Sequence, residues 1–153
     1  MLDFKIEELK LEDLEETMKV IEVTFLKFEA PEYSEEGVEN FFKFANYGTI
    51  KEMLKENMKM YVAKVNEKIV GVIGYRDDSH INLLFVLEEY HKNGIAKALF
   101  NLVQEKCIEK GTKVMTLNSS PYAHNVYIKF GFKDRDGIQE VDGIKFYQMY
   151  KEV

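Results

Sequence analysis

The stretch LLFVLEEYHKNGIAKALF, residues 83–100, joins a β-rich run to a polar loop and the loop to an amphipathic helix. The run His80–Val86 reads as a strand. From Gly94 to Lys110 the apolar residues Ile95, Ala98, Leu99, Leu102 and Val103 share one helical face, and Gly111 stops the helix. Backbone N–H groups at such a helix start are unpaired and aligned with the positive end of the dipole, so they suit a phosphate or pyrophosphate. Gly94 and Ala96 are small enough for ligand oxygens to approach the backbone, and Lys92 and Lys97 add charge at the rim. No Gly-Lys-Ser/Thr follows, which excludes a nucleoside-triphosphate P-loop, and Gly71-Val72-Ile73-Gly74 lies inside a strand.

Upstream, Met60–Val65 and Ile69–Tyr75 are further strands, with turns at Asn66-Glu67-Lys68 and Arg76–Ser79 short enough for hairpins. Before them, Leu14, Met18, Ile21, Phe25 and Phe28 make a helical stripe that Pro31 ends. Ser34 reads as the N-cap of a second helix, and Thr49 with Glu52 as a capping box opening a third. Phe4–Leu9 alternates like a first strand. Downstream come a strand over Lys113–Asn118, a helix from Pro121 to Phe130 stopped by Gly131, and two strands near Phe132–Val141 and Ile144–Tyr150. The last two flank the hairpin signal Asp142-Gly143. The order β-α-α-β-β-β-α-β-α-β-β describes a mixed α+β domain with one crossover helix after a meander.

The length of 153 residues suits one domain over 1–153, able to bury roughly two-thirds of its unfolded surface. A formal charge of −6 argues against a dedicated nucleic-acid binder. That charge is unevenly placed. Residues 1–58 hold seven Lys, no Arg and fifteen acids, a net of −8, whereas residues 59–153 carry a net of +2. One cysteine excludes a disulfide framework, and the apolar runs are too short to span a bilayer. Met1 opens onto Leu2-Asp3-Phe4 without a secretory pattern, so a cytoplasmic location without membrane attachment is expected.

The spacing His91-x-x-Gly94-x-Ala96 after Phe85-Val86 resembles the Gln/Arg-x-x-Gly-x-Gly/Ala loop of the GNAT family of acetyl-coenzyme A-dependent N-acetyltransferases. The segment SSPYAHNVYIKFGF is similar to that family's helix ending in Tyr-x-Lys-x-Gly-Phe, here Tyr127 to Phe132. The element order matches across the chain. This resemblance implies an α/β/α fold with a mostly antiparallel sheet and a V-shaped splay that holds the pantetheine arm of acetyl-coenzyme A. It assigns cofactor contacts to Leu84, Phe85, Val86, His91, Lys92, Asn93, Gly94, Ile95, Ala96 and Lys97, with the Val86 amide facing the thioester carbonyl. Asn118 is expected to bind the pantetheine. Two positions depart from the pattern: His91 replaces Gln or Arg, and Ser120 stands where relatives often carry a cofactor-binding Asn. Pairing of the last two strands in a homodimer is common among such relatives.

The same resemblance makes Tyr127 the acid that protonates the departing thiolate. The acceptor amine needs a base. His80 opens the strand leading to Val86, at the distance where some relatives keep a catalytic Glu, and strict alternation puts it on one face with Asn82, Leu84 and Val86. Glu29, Glu35 and Glu36 are alternative bases or amine anchors. Seven aromatics lie between Phe25 and Tyr47, Tyr33 among them. With the acids around them they suggest a small-molecule or peptide amine as acceptor, bound through Glu29, Tyr33 and Glu35. The rival is a non-catalytic module that senses acetyl-coenzyme A or an amine. No metal is expected, since His80, His91 and His124 lack ligand spacing. Cys107 reads as buried, and no Gly-x-Ser-x-Gly elbow is present.

Overall fold

The computed structural model describes residues 2–153. Its strands are β1 (Lys5–Glu8), β2 (Met58–Val65), β3 (Lys68–Arg76), β4 (His80–Val86), β5 (Val114–Ser119), β6 (Lys133–Asp134), β7 (Gln139–Val141) and β8 (Ile144–Glu152). The helices are α1 (Leu14–Phe28), α2 (Glu35–Phe44), α3 (Tyr47–Leu54), α4 (Ile95–Glu109) and α5 (His124–Lys129). The sheet runs β1-β2-β3-β4-β5-β8-β6, with β7 also paired to β8. Every pairing is antiparallel except β4 with β5. The molecule is therefore the expected α+β fold with a mixed, mostly antiparallel sheet.

Two layers of helix cover the sheet. α1 and α2 meet through Phe25 and Phe41, stacked with centroids 3.7 Å apart, and Phe41 reaches Phe85 of β4. α4 lies on the other face, so close that a Cβ on Gly71 of β3 would sit 3.1 Å from Ile95 and 3.4 Å from Leu99. α5 joins that side, with Phe130 just after it stacked on Phe100 of α4. Ile21, Phe25, Val72, Ile73, Leu99 and Val103 are fully buried between the layers, and truncating a side chain such as Leu99 to Ala costs about 2–5 kcal/mol. Among the described residues no helix is long and apolar enough to cross a membrane.

Several boundaries differ from the sequence reading. α3 starts at Tyr47 because Asn46 is the cap: its Oδ1 accepts from the Thr49 N–H at 2.9 Å, so Thr49 is an interior residue. Past Pro121 the chain makes a turn in which the Ser120 hydroxyl accepts from the Ala123 N–H, delaying α5 to His124. The strand expected over 132–141 is broken. β6 opposes Met149 and Tyr150 while β7 opposes Ile144–Phe146, and the Asp136-Gly137 segment between them leaves the ladder. The Asp142-Gly143 hairpin forms as expected, with φ of +52° and +80° at its two turn residues.

Two features of β4 shape the site. It pairs with β5 only through His80 with Thr116 and Ile81 with Leu117, after which the strands diverge. It also carries a β-bulge: Ile81 opposes Tyr75 and Leu83 opposes Gly74, so Asn82 is the extra residue.

Candidate functional site

The loop after β4 is held by its own side chains. A short turn over Glu88–Tyr90 leads to Lys92 at φ +64° and Gly94 at φ +77°, both left-handed. The Asn93 side chain donates to the carbonyls of Tyr90 and His91 at 3.1 and 3.0 Å. His91 turns back toward β4, its Nε2 2.7 Å from the Val86 carbonyl. A carbonyl only accepts, so Nε2 carries the proton. The first backbone bond of α4 runs from the Ala98 N–H to the Gly94 carbonyl. Among the described residues nothing accepts from the N–H groups of Lys92 to Lys97. A Cβ on Gly94 would meet no atom within 4 Å, so the space above that backbone is open. This cradle, rimmed by Lys92 and Lys97, fits a pyrophosphate.

Two cavities lie along the splay. One of about 300 Å³ is lined by Leu84, Phe85, Val86, the loop from Tyr90 to Lys97 apart from Asn93, and Phe28 and Tyr122 at its rim. The other, about 250 Å³, lies toward α2 and is lined by Tyr33, Phe41, Phe44, Asn82, Asn118 and Ser120 among others. Glu29, Leu84, Phe85, Ala123 and Tyr127 line both. An acid and a phenol therefore stand where the two spaces meet.

Burial sets the chemistry at that junction. Loss of water pushes the Glu29 carboxyl up to about 7; the Ser120 hydroxyl pulls the other way and the Glu32 charge adds to the rise. Burial, with a smaller push from Glu29, raises the Tyr127 phenol far above its ordinary value, so it stays protonated. Tyr33 is raised for the same reasons.

The remaining expected residues fall in several places. Asn118 lines the cavity toward α2, not the one beside the loop, and Glu35 lines neither, being an exposed residue in the first turn of α2. His80 lines neither cavity. The bulge at Asn82 breaks the expected alternation: Leu84 and Val86 oppose Ile73 and Gly71 of one β3 face, whereas His80 opposes Arg76 of the other. His80 instead sits at the apex of the splay with Nδ1 2.7 Å from the Thr116 hydroxyl. Burial and Arg76 push it down to about 4, against the opposing charge of Asp77. Among the described residues no group of three or more His, Cys, Asp or Glu is placed to hold a metal. Cys107 is fully buried and its thiol is pushed up to about 11 by burial.

Sequence reading missed Asn82 and the bridge over the cleft. Phe28 stacks on Tyr122 at 4.9 Å and leans on His91 at 5.4 Å, Lys27 pairs with Glu88, and Glu32 accepts from the Tyr122 N–H. No local pattern announces these contacts, which join segments far apart in the chain.

Residues 29–153 match the Acetyltransferase (GNAT) domain family. None of the curated proteins matches the sequence. In structure the chain is similar to the GCN5-related N-acetyltransferase (aminotransferase, class II) of Rhodopseudomonas palustris, with 18% identity, coverage of 100% and 98% of the two chains, and a TM-score of 0.87. It is also similar to the PaiA N-acetyltransferase of Thermoplasma acidophilum in complex with coenzyme A, with 21% identity, 99% and 100% coverage, and a TM-score of 0.80. An acetyltransferase of the GNAT family from Staphylococcus aureus is 20% identical, with 98% and 99% coverage and a TM-score of 0.76. Those identities speak for the fold; the domain match spans most of the length, and the chain belongs to the GNAT acetyltransferase family.

Proposed function

We propose that residues 1–153 form one N-acetyltransferase domain that moves the acetyl group of acetyl-coenzyme A directly to a primary amine, both bound together. The observation that carries this reading is the junction: Glu29 and Tyr127 line both the cavity beside the anion cradle and the one beyond it. Acetyl-coenzyme A supplies an acetyl group already activated as a thioester. The amides of Lys92 to Lys97 hold its pyrophosphate, and Leu84, Phe85 and Val86 border the widening gap into which an extended arm fits. The Val86 amide serves as the donor to the thioester oxygen.

Glu29 is the base in this reading. An amine attacks only as the free base, and a carboxylate at about 7 takes the ammonium proton more readily than an ordinary one while remaining ionised above neutrality. Tyr127 gives its proton to the departing sulfur and regains one from the nitrogen of the adduct, so that neither a bare thiolate nor a phenolate is left in a dry site. His80 is assigned to the apex of the splay, where its bond to Thr116 ties β4 to β5. The acceptor is a small-molecule or peptide amine, with Tyr33 in the wall of its cavity. Use of a soluble acyl donor fits a cytoplasmic location.

Thiol release from acetyl-coenzyme A over a panel of amines tests the proposal. Release that depends on an amine supports it. Tight coenzyme A binding with no release on any amine refutes it and leaves a sensing module.

A further inference from the structure

Asn82 is the residue that the bulge inserts into β4, opposite the step from Gly74 to Tyr75. Its Oδ1 and Nδ2 are shielded from solvent, and neither has a hydrogen-bond partner among the described residues. A buried carboxamide left unpaired is costly, because it forgoes water without gaining a partner. A Cβ on nearby Gly74 would come within 2.8 Å of the Met58 methyl and 3.3 Å of Oδ1, so a larger residue there would crowd the amide. Asn82 is among the residues lining the cavity of about 250 Å³ that Glu29 also lines.

We propose that Asn82 is a specificity-determining residue that pairs with a carboxamide on the acceptor, making the preferred substrates small amino acid amides. This rests on the acetyltransferase reading above and names the substrate class of the same site. A carboxamide offers one donor and one acceptor side by side. A second primary carboxamide satisfies both at once. A plain alkylamine satisfies neither, and a carboxylate satisfies only Nδ2 while being repelled by Glu29. The volume is below that of a drug-sized site, so amine and amide must lie within a few bonds of each other. Tyr33, Phe41 and Phe44 supply apolar wall for a short side chain.

The test compares kcat/KM for glycinamide, ethylamine and glycine in the wild type and in Asn82→Leu, which keeps bulk and removes both polar groups. The wild type should rank glycinamide first and glycine last. In Asn82→Leu the glycinamide-to-ethylamine ratio should fall tenfold to a hundredfold. A ratio that stays within twofold overturns the proposal, as does a wild type that turns over glycine as well as glycinamide. Asn82→Ala, which also removes both polar groups, gives the same reading if the leucine variant fails to fold. Calorimetric binding of N-acetylglycinamide in the presence of coenzyme A keeps the two readings apart, because it needs no turnover. If no amine releases thiol, the catalytic reading fails, while weaker N-acetylglycinamide binding to the variant still supports the Asn82 pairing and equal binding refutes it.

Discussion

Glu29→Gln should make the protein more stable and less active at the same pH. The folded carboxyl is pushed up to about 7 by burial, against an ordinary value of 4.5. Between those two values the folded protein keeps a proton that the unfolded chain has lost. Wild-type stability therefore falls as pH rises through this window, and the full cost of a buried anion is present above pH 7. The size of the shift corresponds to about 3 kcal/mol, and water reaching the cavity reduces it, so about 1–3 kcal/mol is expected. Glutamine is neutral throughout and escapes that cost. At pH 8 the variant should melt higher by roughly 2–4 °C for each kcal/mol gained. Below pH 4.5, where both states of the wild type are protonated, the advantage should vanish.

Activity should move the other way. Wild-type kcat is expected to rise with pH as the carboxyl ionises near 7, and the variant should lose that limb together with about 100-fold or more of its rate at pH 8. Melting curves at pH 4.5, 6, 7 and 8, paired with pH–rate profiles on one acceptor, read both effects. A stability difference that does not change with pH would show that Glu29 is not desolvated. A variant that keeps the limb would show that another group is the base.

Three further substitutions probe separate parts of the structure. Tyr127→Phe keeps the ring that packs against Phe130 and Phe132 at 6.2 and 6.0 Å, so kcat should drop about tenfold to a thousandfold with coenzyme A affinity preserved; calorimetry and turnover separate the two, and unchanged kcat rejects the acid role. Gly94→Ala puts a side chain at φ +77° without any clash in the free protein, so a stability loss of about 1 kcal/mol and weaker coenzyme A binding are expected; unaltered affinity would mean the cradle does not hold the pyrophosphate. Gly37→Ala in α2 would gain about 1 kcal/mol in helix propensity, but its Cβ would lie 2.2 Å from the Gly143 carbonyl oxygen. Moving the hairpin sacrifices the Ser34 and Asn40 bonds to it, so net destabilisation of about 1–3 kcal/mol is expected, and a raised melting temperature would refute this contact.

What the sequence disclosed follows from range. The loop and α4 were readable because a left-handed glycine, an apolar stripe and a terminal glycine act within a few residues. The hairpin at Asp142-Gly143 was readable for the same reason. The bulge was not: β4 alone alternates cleanly, and only its register against β3 shows that Asn82 has no opposite number. The face of His80 differs from the expected one for the same reason, since one extra residue reverses the face of everything before it. Glu29 was visible as an acid beside aromatics, but its raised carboxyl depends on burial in a space that Tyr127, Ser120 and Tyr33 help enclose from other elements.

The charge split illustrates the same limit from the side of function. A net of −8 over residues 1–58 suggests an acidic field drawing amines in. The structure disperses that field. Glu35, Glu36 and Glu22 are exposed on helix surfaces, where salt screens them beyond a distance of about 8–10 Å. Glu32 spends one oxygen on the Tyr122 N–H, fixing the turn before α5 against α1. Of the acids in that half, Glu29 alone lines the two cavities. On the proposed reading, amine selectivity at the reacting centre comes from one desolvated carboxylate, with the remaining acids contributing at most to the rate of encounter. Raising ionic strength should accordingly slow capture at low amine concentration yet leave kcat and its limb near pH 7 in place, because a buried group is little affected by screening. A kcat that fell in step with kcat/KM as salt rose would return the selectivity to the surface field.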